Sequence, residues 1–162
     1  MRYAISKHFL CILLIAMPIK AKADLGKETG LHVPRFVSMN SSKVNVRAGP
    51  GTRYPIKWVF HRKALPVQIV AESDTWRKIR DFEGIEGWVH QRMLSGRRRA
   101  LVTGAIRQLK REPKDTSKTV ALFEPGVILR LDKCTNAWCL VEGGSYEGWI
   151  GRQSIWGVDS ND

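Results

Sequence analysis

The chain has 162 residues, enough for one domain of ordinary size or two small ones. Apolar residues make up 43% and charged residues 26% of it, a globular composition that excludes a largely disordered chain and a collagen-like fibre. Lys and Arg number 27 against 15 Asp and Glu, so the formal charge is +12 and a polyanionic partner comes to mind first.

The first segment redirects that expectation. Arg2 and Lys7 precede an unbroken apolar run, 9–17, which Pro18 closes, and Ala21-Lys22-Ala23 places small residues two apart before Asp24. This is the layout of a secretory signal peptide, residues 1–23, cut after Ala23, and it predicts a periplasmic or secreted protein. An uncleaved anchor is the rival reading, but nine apolar residues fall short of the ~20 a spanning helix needs. No later stretch approaches that length, so no transmembrane segment is expected in the mature chain. Cys11 lacks the small residues that precede a lipidated cysteine. Cleavage removes Arg2, Lys7, Lys20 and Lys22 and no acid, which leaves 23 basic against 15 acidic side chains, a charge of +8. An exported cation meets anionic glycans, lipid head groups and acidic proteins; nucleic acid is not the expected partner.

Residues 24–40 read as a polar leader or linker. A first lobe, 41–98, follows with short strand signals at 44–46, 57–60, 65–71, 76–81 and 85–89, punctuated by Gly, Pro, Asp and Ser. Residues 90–94 carry the one helical hint, too short for more than a single turn. Arg97 to Val102 reads as a closing strand that leads into a second lobe, 103–158. Strands this short and closely spaced predict an all-β fold of two small barrels. A lobe of about 60 residues is marginal alone, so the two are expected to pack together.

Within the second lobe, Cys134 and Cys139 flank a Thr-Asn centre in a hairpin-like stretch, 131–141. An even pair in an oxidising compartment predicts a disulfide. A metal site is the rival, but it needs four ligands and no His or Cys lies nearby; two separate thiols are the other alternative.

The lobes are related by a weak internal repeat. Residues 46–50 (Val-Arg-Ala-Gly-Pro) align with 109–113 (Leu-Lys-Arg-Glu-Pro) at an offset of 63, Trp76 with Trp138 at 62, and Glu86-Gly87-Trp88-Val89 with Glu147-Gly148-Trp149-Ile150 at 61. Three anchors in one order, with offsets drifting by single residues, indicate duplication.

The stretch from Val44 to Pro55, Val-Asn-Val-Arg-Ala-Gly-Pro-Gly-Thr-Arg-Tyr-Pro, resembles the opening motif of bacterial SH3-like domains. Trp76 and Gly87-Trp88-Val89 resemble that family's middle and end. The resemblance spans the first lobe nearly end to end. In the divergent second lobe, Gln108, Lys110 and Glu112 stand where the motif has Asn, Arg and Gly. Cys134, Trp138, Cys139, Gly148 and Trp149 keep the later pattern. Two such modules behind a signal peptide are similar to exported SH3-like proteins of Gram-negative bacteria. The resemblance implies five-stranded, half-open barrels and a binding function, commonly towards cell-wall peptides or proteins.

Strand parity locates the candidate site. Trp76 and Ile79 are three apart and Trp88 and Val89 adjacent, so each pair faces opposite sides of its strand. With Ile79 and Val89 in the core, Trp76 and Trp88 stand outside it, towards the loop carrying Tyr54. Parity separates Trp138 from Val141 and Trp149 from Ile150 in the same way. Exposed Trp and Tyr give large contact area with a polar handle, and SH3-type troughs bind extended peptides with such rings. The expected groove is therefore Tyr54, Trp76, Trp88 and Arg47, with Trp138 and Trp149 as second-lobe candidates. Two other readings stand beside it. Arg47 bridges loop carbonyls as readily as it meets a ligand, and outer Trp rings serve equally to roof a minicore or join the lobes, as expected of Trp149 and Trp156.

Around the junction, Arg97, Arg98, Arg99, Arg107, Lys110 and Arg111 form a basic cluster. They read either as solvated strand charges or as an electrostatic site for anionic envelope surfaces or an acidic partner. Catalytic chemistry is not expected. His32, His61 and His90 are scattered, no Gly-x-Ser-x-Gly elbow occurs, and no cofactor or metal motif is present. The leading expectation is a non-catalytic module that binds a peptidoglycan peptide or an envelope protein. An electrostatic adaptor is the alternative.

Overall fold

The computed structural model describes residues 24–159. The proposed signal peptide lies outside them. The described residues contain strands and two short 3-10 turns but no α-helix, as an all-β sequence demands.

A small hairpin of β1 (Asp24–Leu25) and β2 (His32–Val33) comes first. The first lobe then runs β3 (Arg35–Met39), β4 (Val44–Arg47), β5 (Ile56–Phe60), β6 (Pro66–Ser73), β7 (Trp76–Arg80), β8 (Glu86–His90) and β9 (Leu94–Ser95). The second runs β10 (Arg99–Val102), β11 (Arg107–Lys110), β12 (Thr119–Phe123), β13 (Ile128–Cys134), β14 (Trp138–Gly143), β15 (Tyr146–Gly151) and β16 (Ile155–Trp156). Each lobe is one antiparallel seven-stranded sheet, ordered β5-β4-β8-β7-β6-β3-β9 and β12-β11-β15-β14-β13-β10-β16. Adding seven to every label of the first gives the second. The register irregularities repeat as well, between Ile69 and Ala71 in β6 and between Leu131 and Lys133 in β13. A bulge increases local twist and lets a short sheet curl on itself, so its duplication preserves the curvature of both barrels.

The lobes divide differently from the sequence-based reading. Part of the leader, Arg35–Met39, is a strand of the first sheet, pairing with β6 and β9. The stretch read as the first lobe's closing strand supplies β10, which pairs with β13 and β16 of the second sheet. Each lobe therefore opens with its long-range strand. Alternation within a strand specifies which face is buried but not which sheet the strand joins.

Two cores result. Val44, Val46, Val67, Ile69, Ile79 and Val89 fill the first; Val102, Leu109, Leu129, Val141 and Ile150 lead the second. The lobes pack against each other, as their small size requires. Leu101 of β10 sits among the first core's residues, and Ile128 packs against that core from β13. Phe36 meets Trp156 edge-on, with centroids 4.8 Å apart. The Arg62 guanidinium donates to the carbonyl of Gly126.

Two further ties hold individual hairpins. Cys134 and Cys139 lie opposite each other on β13 and β14 and form the expected disulfide. The N-terminal hairpin is held by Glu72, whose carboxylate accepts from the backbone N–H groups of Glu28 and Thr29, from Thr29 Oγ1 at 2.8 Å and from Arg35 at 2.7 Å. Burial pushes the Glu72 carboxyl up, but the hydrogen bonds from Arg35, Thr29 and the Glu28 amide, with the Arg35 charge, outweigh it and hold it at about 2.

Candidate peptide-binding clefts

The outer face of the first sheet is set by register. Arg47 of β4 lies opposite Trp88 of β8, Lys78 opposite Trp88 on the other side, and Trp76 opposite His90. Ile79 and Val89 are fully buried, so their strand neighbours turn outward, and Trp76 and Trp88 are half-buried on a shared face.

The loop after β4 folds over this face. Arg47 Nη1 donates to the carbonyls of Thr52 (3.0 Å) and Tyr54 (2.7 Å), clipping both sides of the loop. The Tyr54 ring lies against Gly49, where an added Cβ would stand 2.5 Å from it, and Arg53 caps the ring at 5.1 Å. Only glycine admits so close a ring. Between the loop and the 3-10 turn Gln91–Met93 lies a cleft of about 260 Å³, lined by Lys43, Asn45, Arg47, Thr52, Trp76, His90 and Met93. Trp76 packs edge-on to His90 with centroids 5.5 Å apart. His90 Nδ1 accepts from the Arg92 backbone N–H at 3.2 Å, which fixes the imidazole.

The cleft thus contains Arg47 and Trp76 of the expected groove. Tyr54 and Trp88 stand outside its lining: Tyr54 props the loop, and Trp88 covers the sheet beside Arg47. Lys43, Thr52, His90 and Met93 were missed in the sequence. Counting by twos from Asn45 back to Lys43 and from Trp88 on to His90 would have found two of them. Trp58 also escaped notice; it is 49% exposed on β5, at the edge of the sheet, away from the cleft.

The second lobe has a cleft of about 380 Å³, whose lining includes Trp138, Gln108, Lys110, Asp115 and Gln153. Trp149 is not part of it and lies opposite Lys110 and Leu140 on the outer face. Of the two rings expected at the lobe junction, Trp156 is there, against Phe36.

The basic cluster is dispersed. Arg97 and Arg111 are exposed, while Arg99 lies opposite Arg130 on β13. Arg98 donates to the Gly157 carbonyl at 3.0 Å, Arg107 Nε to Thr103 O at 3.1 Å, and Lys110 Nζ to Thr119 Oγ1 at 3.1 Å. Among the described residues no three His, Cys, Asp or Glu side chains are grouped to hold a metal ion. No helix among them is long and apolar enough to cross a membrane.

Comparison with known proteins places two copies of one family along this architecture. The bacterial SH3 domain matches residues 40–96 and 104–157. Among solved structures, the chain is similar to NlpC2 from Trichomonas vaginalis, at 11% identity and a TM-score of 0.35, over 79% of this chain and 51% of that one. It is similar to NlpC1 from the same organism at 12% identity and a TM-score of 0.34, over 81% of this chain and 48% of that one. The chain spans about half the length of each. No curated protein matches it.

Proposed function

The chain belongs to the bacterial SH3 domain family, and from that premise we propose that it is a non-catalytic binding module of the cell envelope. Its ligand is an extended peptide, the stem peptide of the cell wall or a segment of an envelope protein, held in the first lobe's cleft. The observation that carries this reading is the Trp76–His90 pair, partly open to solvent beside Lys43 and Arg47. A half-exposed indole set between polar groups suits a peptide, because the ring gives contact area and the polar groups fix orientation. The disulfide and the signal-like 1–23 segment favour an oxidising, extracytoplasmic setting.

Retention on purified peptidoglycan sacculi tests it. Trp76→Ala is expected to abolish most retention, and wild-type retention is expected to persist from ~50 to ~200 mM salt, since cleft contacts are screened less than exposed charges. Retention that survives Trp76→Ala but vanishes with salt would replace the cleft with the electrostatic adaptor and its arginine-rich junction.

A further inference from the structure

The two clefts are the same place in the fold. At the repeat offsets of 61 to 63, Lys43 corresponds to Ile106, Asn45 to Gln108, Arg47 to Lys110, Thr52 to Asp115, Trp76 to Trp138 and Met93 to Ser154. Each of these residues lines its own cleft. Duplication has therefore kept the indole wall, the amide and the cation beside it while changing the charges at the two ends.

The change has a direction. In the first cleft Arg47 is committed to the loop carbonyls, and Lys43 is the remaining cation: its backbone N–H donates to Ser41 Oγ, but its ammonium group has no hydrogen-bond or ion-pair partner among the described residues. No carboxylate lines it. In the second, the lysine position is Ile106, and both cations are engaged with oxygens of the barrel, Arg107 with Thr103 and Lys110 with Thr119. Glu112 and Lys114 of the neighbouring loop pair with each other at 2.6 Å. Asp115, exposed at the position of Thr52, is the one charged group of this lining with no partner among the described residues. A carboxylate near an indole suits an ammonium group, which takes the carboxylate as counter-charge and the ring face as a cation–π partner.

We infer that the second lobe's cleft is a second peptide site, one that selects an ammonium-bearing segment through Asp115 and Trp138, where the first selects a carboxylate-bearing one through Lys43 and Trp76. This rests on the reading of the first cleft as a peptide site. A ligand carrying both groups, as peptides with free amino and carboxyl functions do, would be read at both lobes.

The test follows the indole N–H resonances of Trp76 and Trp138 in the 15N-labelled chain, assigned with Trp76→Phe and Trp138→Phe. Two probes separate the charges: Ala-Ala-Ala amide, which has an ammonium and no carboxylate, and N-acetyl-Ala-Ala-Ala, which has the reverse. Trp138 is expected to shift with the amide, with affinity about fivefold weaker in Asp115→Asn, and Trp76 to shift with the acetylated acid, about fivefold weaker in Lys43→Gln. Trp138 silent to both probes while Trp76 responds would overturn the second site and leave the first reading standing. Trp138 preferring the acid, or indifferent to Asp115→Asn, would overturn the charge assignment. Trp138 responding while Trp76 stays silent would support the second site and overturn the reading of the first.

Discussion

Ala100 and Leu101 are neighbours in sequence and belong to different hydrophobic cores. Ala100 packs in the second, Leu101 in the first, and both are fully buried. Strand β10 is thus covered on both faces, which joins two lobes that would each be marginal alone. Leu101→Ala is expected to destabilise the whole protein by about 3 kcal/mol, in the range of buried Leu→Ala changes. Urea unfolding followed by two probes would check it, with a single coincident transition in both wild type and variant. Separate transitions for the lobes would contradict the shared core.

The Glu72 carboxyl makes the N-terminal hairpin acid-sensitive. Its folded value of about 2 lies below the ordinary 4.5, so its contribution is fully present above pH 4.5 and is lost as pH falls towards 2. Between pH 5 and pH 2 the wild type is expected to lose on the order of 2 kcal/mol more stability than Glu72→Gln. Denaturation at a series of pH values measures the difference; parallel curves would show that the carboxylate contributes nothing.

Gly87 and Gly148, equivalent in the repeat, let one strand press on another. A Cβ on Gly148 would stand 2.6 Å from the Lys110 carbonyl oxygen, and one on Gly87 would meet Val46 and stand 2.9 Å from the Arg47 carbonyl oxygen. Backbone cannot step aside as a side chain can, so Gly87→Ala and Gly148→Ala are each expected to cost about 2–3 kcal/mol, as overpacked sites do. Thermal melts of the two variants would show it.

The disulfide closes a short loop between β13 and β14, next to Ala137 and Trp138 of the second cleft. Replacing both cysteines by alanine is expected to lower stability by about 2 kcal/mol on the loop-entropy estimate. The Trp138 indole signal should broaden or shift, while that of Trp76 stays in place. Proton NMR of the double variant measures both effects.

The residues that proved legible in the sequence are those governed by local rules. Parity put Ile79 and Val89 inside and Trp76 and Trp88 outside, and the spacing of Cys134 and Cys139 gave the cross-strand bond. What stayed hidden depends on long-range register. Arg35–Met39 carries strand character, but its partners lie in β6 and β9, with β9 at Leu94–Ser95. His90 enters the cleft only because it pairs with Trp76, and Lys43 only because the loop after β4 folds back beside it. Tyr54 shows the reverse case. Its type and loop suggested a ligand contact, yet Gly49 leaves room for the ring to pack inward and prop the loop.

Calorimetric titration of a soluble cell-wall stem peptide into wild type, Trp76→Ala and Trp58→Ala tests the central claim most directly. Trp58 is the natural control, an exposed indole on the edge strand outside the cleft. Loss of a central aromatic anchor weakens binding by about tenfold or more, so that is the result expected for Trp76→Ala, with Trp58→Ala unchanged. Equal affinity for wild type and Trp76→Ala would contradict a peptide site in the first lobe's cleft.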